Sequence, residues 1–305
     1  MDNFDLLILA LMLDALLGEP AWLWAHLPHP ATLMGRAVDW LDVRLNHGTH
    51  RKFSGSVAIL LLVFMALLTG GAISLLPDAG MFEILGAAIL LAHRSLCDHV
   101  SAVATGLREN LENGRKAVAM IVGRDCVNLD QSSVVRSAIE SAAENFSDAV
   151  IAPAFWFLLF GLPGIMVYKI VNTADSMIGY RTERYRDFGW ASARLDDVLN
   201  WIPARITGAL ICLAHWSMRA VRVMQKDARK HRSPNAGWPE SAMAGVLHIA
   251  LAGPRSYDGK MTDFDWVNGS GRKTLGPNDI DNTVKALWYS WATALVLCSA
   301  VAFII

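Results

Sequence analysis

Charge is scarce in this chain. Only 18% of the 305 residues are charged, while 53% are hydrophobic and mean hydropathy is +0.33. Soluble domains carry about a quarter charged residues, so the composition places the chain in a membrane. The net charge of −1 excludes a nucleic-acid partner recruited by bulk charge. Cys97, Cys126, Cys212 and Cys298 stand far apart without a Cys-x-x-Cys pair, so neither a zinc site nor a disulfide framework is expected. No His-x-x-x-His or His-Glu-x-x-His pattern occurs, which again argues against dedicated zinc. His29, His93, His99 and His231 therefore read as hydrogen-bonded residues at helix ends, with a general-base role open for one of them. The P-loop and the kinase glycine loop are absent, as are internal repeats and low-complexity tracts. A cleavable signal is not expected, because the start lacks positive charge and Asp14 interrupts the first apolar stretch.

What the chain has instead is apolar runs. Residues 56–76 carry no charge and meet the about 20 residues a span requires. Residues 286–305 form a second clear span, with Trp288, Tyr289 and Trp291 as interfacial anchors. Weaker candidates are 4–17, 82–92, 149–170, 202–218 and 242–252; several are too short to cross and read as re-entrant or packed inside other helices. Gly161-Leu-Pro-Gly164 breaks the 149–170 run near its middle. Arg36, Arg44, Arg51 and Lys52 crowd the loop before residue 56, and by the positive-inside rule that loop is cytoplasmic. The expectation is an all-α, polytopic integral membrane protein. It has re-entrant or broken helices, polar helical loops on one face, and a single domain over 1–305.

Polar residues cluster where these runs end. Glu140, Glu144 and Asp148 are spaced four and four, which stacks three carboxylates on one helical stripe. Like charges so placed repel and predict a metal ion, a metal-bound phosphate or an arginine cluster; a solvated acidic face is the plain alternative. Lys169, Asn172, Asp175 and Ser176 follow on a helix otherwise apolar. Ionisable groups there are costly in lipid and predict a polar cavity, or an internal pairing of Lys169 with an acid. Arg181, Arg184, Arg186, Arg194 and Arg205 surround Asp196, Asp197 and Asn200. Asp196 and Asn200, four apart, can share a hard cation such as Mg²⁺, and arginines fork onto phosphate oxygens. Acids plus arginines at a membrane surface suggest Mg²⁺–phosphate chemistry.

Three further segments stand out. Ser233-Pro-Asn-Ala-Gly-Trp-Pro-Glu-Ser241 predicts irregular backbone. Gly269-Ser-Gly-Arg-Lys-Thr274 reads as a surface loop, with an anion nest as the alternative. Arg219, Arg222, Lys226, Arg229 and Lys230 make one face of a helix continuing from the run that ends near Met218, either a juxtamembrane helix or a phosphate-binding rim.

These residues carry a resemblance. Asp14-Ala-Leu-Leu-Gly-Glu-Pro20, Pro28-His-Pro30, Met34-Gly-Arg36, Val122-Gly-Arg-Asp125, the Glu140–Asp148 stretch and Ala152-Pro-Ala-Phe-Trp156 resemble the CobD/CbiB family of cobalamin biosynthesis. So do Tyr168-Lys-Ile-Val-Asn-Thr-Ala-Asp-Ser-Met-Ile-Gly179, Phe188-Gly-Trp190, Arg194-Leu-Asp-Asp197 and Ser233-Pro-Asn-Ala-Gly-Trp-Pro-Glu240, in order over nearly the whole chain. The resemblance implies a ligase that joins the free carboxylate of adenosylcobyric acid, a corrinoid, to the amine of (R)-1-aminopropan-2-ol O-phosphate or aminopropanol. ATP and Mg²⁺ would activate the carboxylate as an acyl phosphate. It also implies a multi-pass protein of the bacterial inner membrane with a cytoplasmic active face. Its partners would be small molecules and the bilayer, with a homo-oligomer or other cobalamin-assembly membrane proteins left open.

On this reading catalysis falls to Glu140, Glu144, Lys169 and Asp175. Cofactor and substrate binding falls to Asn145, Asn172, Ser176, Arg181, Arg184, Arg194, Arg205 and Asn235, and metal binding to Asp148, Asp196, Asp197 and Asn200. The acids among them are expected to converge on one polar cavity. Two other classes compete. A Mg²⁺-dependent intramembrane transferase is disfavoured because the Asp-Gly-x-x-Ala-Arg signature and a spaced pair of Asp-x-x-x-Asp motifs are missing. A non-catalytic transporter or sensor would suit broken helices and intramembrane charges, but no repeated half is found.

Overall fold

The computed structural model describes residues 2–123, 126–257, 260–262 and 264–304. Arg124 and Asp125, which end the Val122-Gly-Arg-Asp125 motif, lie outside them. In chain order the helices are α1 (Asn3–Leu17), α2 (Ala21–Trp24), α3 (Pro30–Leu45), α4 (Arg51–Ser74), α5 (Met81–Leu90), α6 (His93–Glu109) and α7 (Leu111–Ala119). Then come α8 (Gln131–Phe146), α9 (Ala152–Ile178), α10 (Trp190–Leu199), α11 (Trp201–Ala214), α12 (Met218–Asp227), α13 (Gly237–Leu247) and α14 (Pro277–Ile304). Two short antiparallel pairs interrupt the helices: β1 (Leu251–Ala252) with β4 (Trp266–Val267), and β2 (Arg255–Tyr257) with β3 (Lys260–Thr262).

Helix starts follow local chemistry. The Asp2 carboxylate accepts from the Phe4 and Asp5 amides to open α1, and Asp130 caps α8 through Ser133. The basic stretch after Met218 is not a continuation of the preceding run. Trp216 turns to φ 47° and Ser217 caps a new helix, α12, by accepting from Ala220. The proline-rich 233–241 segment is irregular only in its first half. Helix α13 begins at Gly237, with Pro239 inside its first turn, where the missing N–H leaves no hydrogen bond unmade.

Among the described residues, three helices are long and apolar enough to cross a membrane: Arg51–Ser74, the stretch Gln131–Ile178 and Pro277–Ile304. Helices α10 and α11 together form a fourth candidate. Leu60, Leu61, Phe64, Met65, Leu67 and Leu68 stand exposed on α4, as do Val296, Leu297, Val301 and Phe303 on α14, a pattern that suits lipid contact. The 15-residue α1 and 10-residue α5 are too short to span alone. The expected break in the 149–170 run is there: inside α9, Gly161 adopts φ 63°, ψ −151°, a conformation only glycine takes readily, and Pro163 follows.

The chain packs into two compact units interleaved in sequence. Unit 1 comprises Met1–Ala92, Asp148–Trp201 and Cys298–Ile305. Its core joins Val38 and Leu41 of α3, Ala58, Ile59, Leu62 and Ala66 of α4, and Ile170, Val171, Ala174 and Ile178 of α9. Unit 2 comprises His93–Ser147 and Ile202–Leu297. There α8 buries Val134, Val135, Ala138, Ile139, Ala142, Ala143 and Phe146, and α13 is buried through most of its length. His93, fully buried, sits in an aromatic box of Phe146, Trp288 and Trp291.

Candidate functional site in unit 1

The polar row on α9 is knitted to α10. Tyr168, almost fully buried, donates its hydroxyl to Asn200 Oδ1 at 2.9 Å and to the Asp148 carbonyl at 3.0 Å. Asn200 donates to Asp196 Oδ2 at 3.0 Å, and Asn172 donates to Asp196 Oδ1 at 3.2 Å. Asp196 and Asn200 do share something, but it is a hydrogen bond. Both oxygens of Asp196 and the Asn200 carbonyl oxygen are occupied by side-chain donors. Asp197 faces Arg194 at 3.4 Å, with Arg181 also in reach. Among the described residues no group of three or more His, Cys, Asp or Glu side chains is arranged to hold a metal ion. Asp148, expected with Asp196, Asp197 and Asn200 to hold a cation, meets this network through its backbone carbonyl.

Lys169 is half-buried and lies within electrostatic reach of Asp148, Glu19 and His29. Asp175 acts on the same region through Tyr168. Its carboxylate folds back over the end of α9, where a Cβ on Gly179 would collide with Oδ1; only glycine leaves room. Ser176 Oγ donates to the Asn172 carbonyl at 2.9 Å. His29 opens α3: its Nδ1 accepts from the Ala31 amide at 3.1 Å. Burial pushes its imidazole below the ordinary histidine value, against the opposing pull of Glu19. The neutral ring therefore carries its proton on Nε2.

Other expected residues are committed elsewhere. Arg184 meets the buried Asp42 at 2.5 Å, and Tyr185 and Asn46 reach the same carboxylate at 3.4 and 2.7 Å, which ties the 180–189 loop to α3. In unit 2, Glu140 accepts from the Ala252 amide at 2.6 Å. Glu144 is exposed, and Asn145 turns back onto Ser141 at 2.9 Å. The three-carboxylate stripe is also broken in register, because the helix widens to π-type over Ser147–Ile151. Also in unit 2, Arg205 reaches Asn235 Oδ1 at 3.4 Å and stacks on Trp238. A cavity of about 50 Å³ is lined there by Lys230, His231 and Arg232. The Gly269–Thr274 loop is an ordinary clasp: Arg272 forks onto Asp279 at 3.1 and 2.5 Å.

Unit 1 thus brings together Asp148, Lys169, Asn172, Asp196 and Asn200, and adds three residues not named as site residues from the sequence: Glu19, His29 and Tyr168. The signal was present, since all three fall inside motifs that carry the family resemblance.

Apolar helices of membrane-crossing length define an all-α integral membrane protein. A family model described as CobD/Cbib protein matches residues 7–287. The chain belongs to the CobD/CbiB family. It is 48% identical over 317 aligned residues to cobalamin biosynthesis protein CobD of Brucella anthropi, covering 97% of this chain and 96% of that protein. Identity to the protein of the same name from Rhizobium meliloti is 46% over 300 residues, covering 93% and 92%. For that of Rhodobacter capsulatus it is 46% over 272 residues, covering 87% of each chain. No solved structure matches.

Proposed function

We propose that the chain makes the amide bond of cobalamin assembly, joining the free carboxylate of adenosylcobyric acid to the amine of (R)-1-aminopropan-2-ol O-phosphate. The observation that carries this reading is Lys169, set among Asp148, Glu19 and His29 on a membrane helix, where an ionisable group is costly unless used. Membership of a cobalamin-biosynthesis family supports the reading, and the substrates are those the resemblance implies.

A carboxylate is a poor acyl donor and must be activated. A carboxylate oxygen takes the γ-phosphoryl group of ATP, releasing ADP and leaving an acyl phosphate. The amine then attacks the acyl carbon, the carbon–oxygen bond to phosphate breaks, inorganic phosphate departs, and the surplus amine proton passes to a base. Lys169 supplies a fixed positive charge for oxygens that gain charge in these steps. Asp148 and Asp175 are the candidate bases. Arg181 and Arg194 are the candidate phosphate ligands. No step is routed through Mg²⁺: Asp196 and Asn200, two of the residues expected to hold it, hydrogen-bond each other, and Asp197 pairs with Arg194. The arginine-rich loops favour a cytoplasmic active face in a bacterial inner membrane.

The test is amidation by the purified full chain in lipid nanodiscs. Adenosylcobyric acid, the amine phosphate and ATP should yield adenosylcobinamide phosphate with one ADP per amide. Absence of the amide, or its formation without nucleotide turnover, contradicts the proposal.

A further inference from the structure

Unit 2 presents a basic stripe beside the span α14. Helix α12 buries Ala220, Met224 and Asp227, and close approach pins that face. A Cβ on Gly245 of α13 would collide with Ala220, and one on Gly208 of α11 with the Met224 sulfur. The opposite face is therefore committed outward. It carries Arg219, Arg222 and Lys226, spaced three and four so that they stack on one side. Arg229 continues the row in the turn Ala228–Lys230. All four are exposed. Lys230 closes onto the buried Asp227 at 2.7 Å, whereas Arg219, Arg222, Lys226 and Arg229 meet no carboxylate among the described residues. Like charges held on one face repel, so the stripe favours an anion that arrives from outside.

Ring contacts fix where the stripe begins. The turn before α12 sets His215 edge-on against Tyr289 of α14, with centroids 5.9 Å apart. Tyr289 stands between Trp288 and Trp291, the aromatics that open the apolar part of α14, and such rings gather at the level of lipid headgroups. Trp216 and Met218, 87% and 66% exposed, border the same turn. An indole so exposed is best placed where one edge is apolar and the other wet. Lys285 is exposed one helical turn before Tyr289, on the same face of α14 and toward water. The stripe thus starts at headgroup level with apolar side chains beside it, the pattern of an amphipathic helix that binds an acidic lipid surface.

We propose that Arg219, Arg222, Lys226 and Arg229, with Lys285, hold the phosphate groups of acidic phospholipids, while Trp216 and Met218 enter the acyl boundary beside them. A soluble phosphate would engage the same cations but would leave Trp216 and Met218 nothing to bury against. The inference rests on α14 as a span and is independent of the amide synthesis.

Trp216 is the reporter. The full chain is placed in phosphatidylcholine bilayers with a rising fraction of brominated phosphatidylglycerol or brominated phosphatidylcholine, whose bromines quench a neighbouring indole. The Trp216 signal is the difference between wild type and Trp216→Phe. At low salt the acidic lipid should outcompete the neutral one there by about five- to twentyfold, since each basic residue near the surface is worth about fivefold. Combining Arg219→Gln, Arg222→Gln, Lys226→Gln and Arg229→Gln should bring the ratio close to one while quenching by the neutral lipid persists. These side chains are exposed, so the unfolding midpoint in phosphatidylcholine should hold. Wild type alone gives a second arm: about 1 M salt shortens the Debye length to about 3 Å and should erase most of the preference. Glycerol 1-phosphate in solution should not displace the acidic lipid. Equal quenching by the two lipids in wild type overturns the proposal, as does the absence of quenching by either, which puts Trp216 in water. A preference that survives the fourfold variant or high salt also overturns it, and displacement by glycerol phosphate makes the stripe a site for soluble phosphates instead.

Discussion

Most of the buried acids of the two units are held differently, although Asp42 of unit 1 is a brace that ties the 180–189 loop to α3. In unit 2 the buried acids are braces. Glu140 accepts one backbone N–H from Ala252, Asp227 accepts one from Asn268 and pairs with Lys230, and Asp279 holds the Arg272 fork. Each closes a loop or strand onto a helix. In unit 1 the polar groups answer mainly to one another: Tyr168 to Asn200, Asn200 and Asn172 to Asp196, Lys169 to Asp148 and Glu19. The contrast teaches that a buried carboxylate is informative only through its partner. A backbone amide already explains its burial. A lysine on an apolar helix does not, and that difference is why the proposed chemistry is assigned to unit 1.

The comparison breaks most visibly at Asp175. Asp175→Asn should lower corrin amidation about a hundred- to a thousandfold while membrane insertion and yield stay normal. Turnover near wild type would make Asp175 one more brace. Glu140 is the counterpart in unit 2. Glu140→Ala orphans the Ala252 amide and should cost about 2 kcal/mol of stability, read as a lower unfolding midpoint. Glu140→Gln keeps an acceptor oxygen, so its midpoint and turnover should both stay near wild type. A lost turnover at an unchanged midpoint would move chemistry into unit 2.

The aromatic box offers a pH test of comparable size. Burial holds His93 down at about 3, against 6.5 for an ordinary histidine. Below pH 6.5 the unfolded chain takes up a proton that the folded chain refuses, so stability falls as pH drops from 6.5 toward 3. Between pH 6.5 and 5 the loss is about 2 kcal/mol, and His93→Gln should flatten that limb of the unfolding midpoint against pH. The smallest effect belongs to Arg184. Its side chain is 61% exposed although Asp42 is buried, so Arg184→Gln should barely move the unfolding midpoint. Saturation curves for ATP and the amine phosphate should be unchanged; a shift in either would return Arg184 to the phosphate site.

Much of this was legible in the sequence, and the remainder was not for identifiable reasons. The spans α4 and α14 are unbroken apolar runs, and the break in α9 is written as Gly161 and Pro163. The pairing of Asp196 with Asn200 follows from their spacing, since residues four apart share a helical face. Spacing could not say that the shared object is a hydrogen bond. The partner of Glu140 is 112 residues away and that of Arg184 is 142 away, so periodicity carries no trace of either. The same holds for Glu19 and His29, which come from the turns before α2 and α3 and reach Lys169 only through tertiary packing. The π-type widening at Ser147–Ile151 also escaped, and it spoils a stripe that a regular helix would have made.

The central claim is that unit 1 holds the reacting groups and that Lys169 provides charge to them. The most direct measurement is the single-turnover rate of amidation by Lys169→Met in the full chain, beside corrin binding and the unfolding midpoint of the same preparation. The account predicts a rate lower by about a hundredfold or more, with corrin binding and midpoint retained. A wild-type rate from this variant would contradict it.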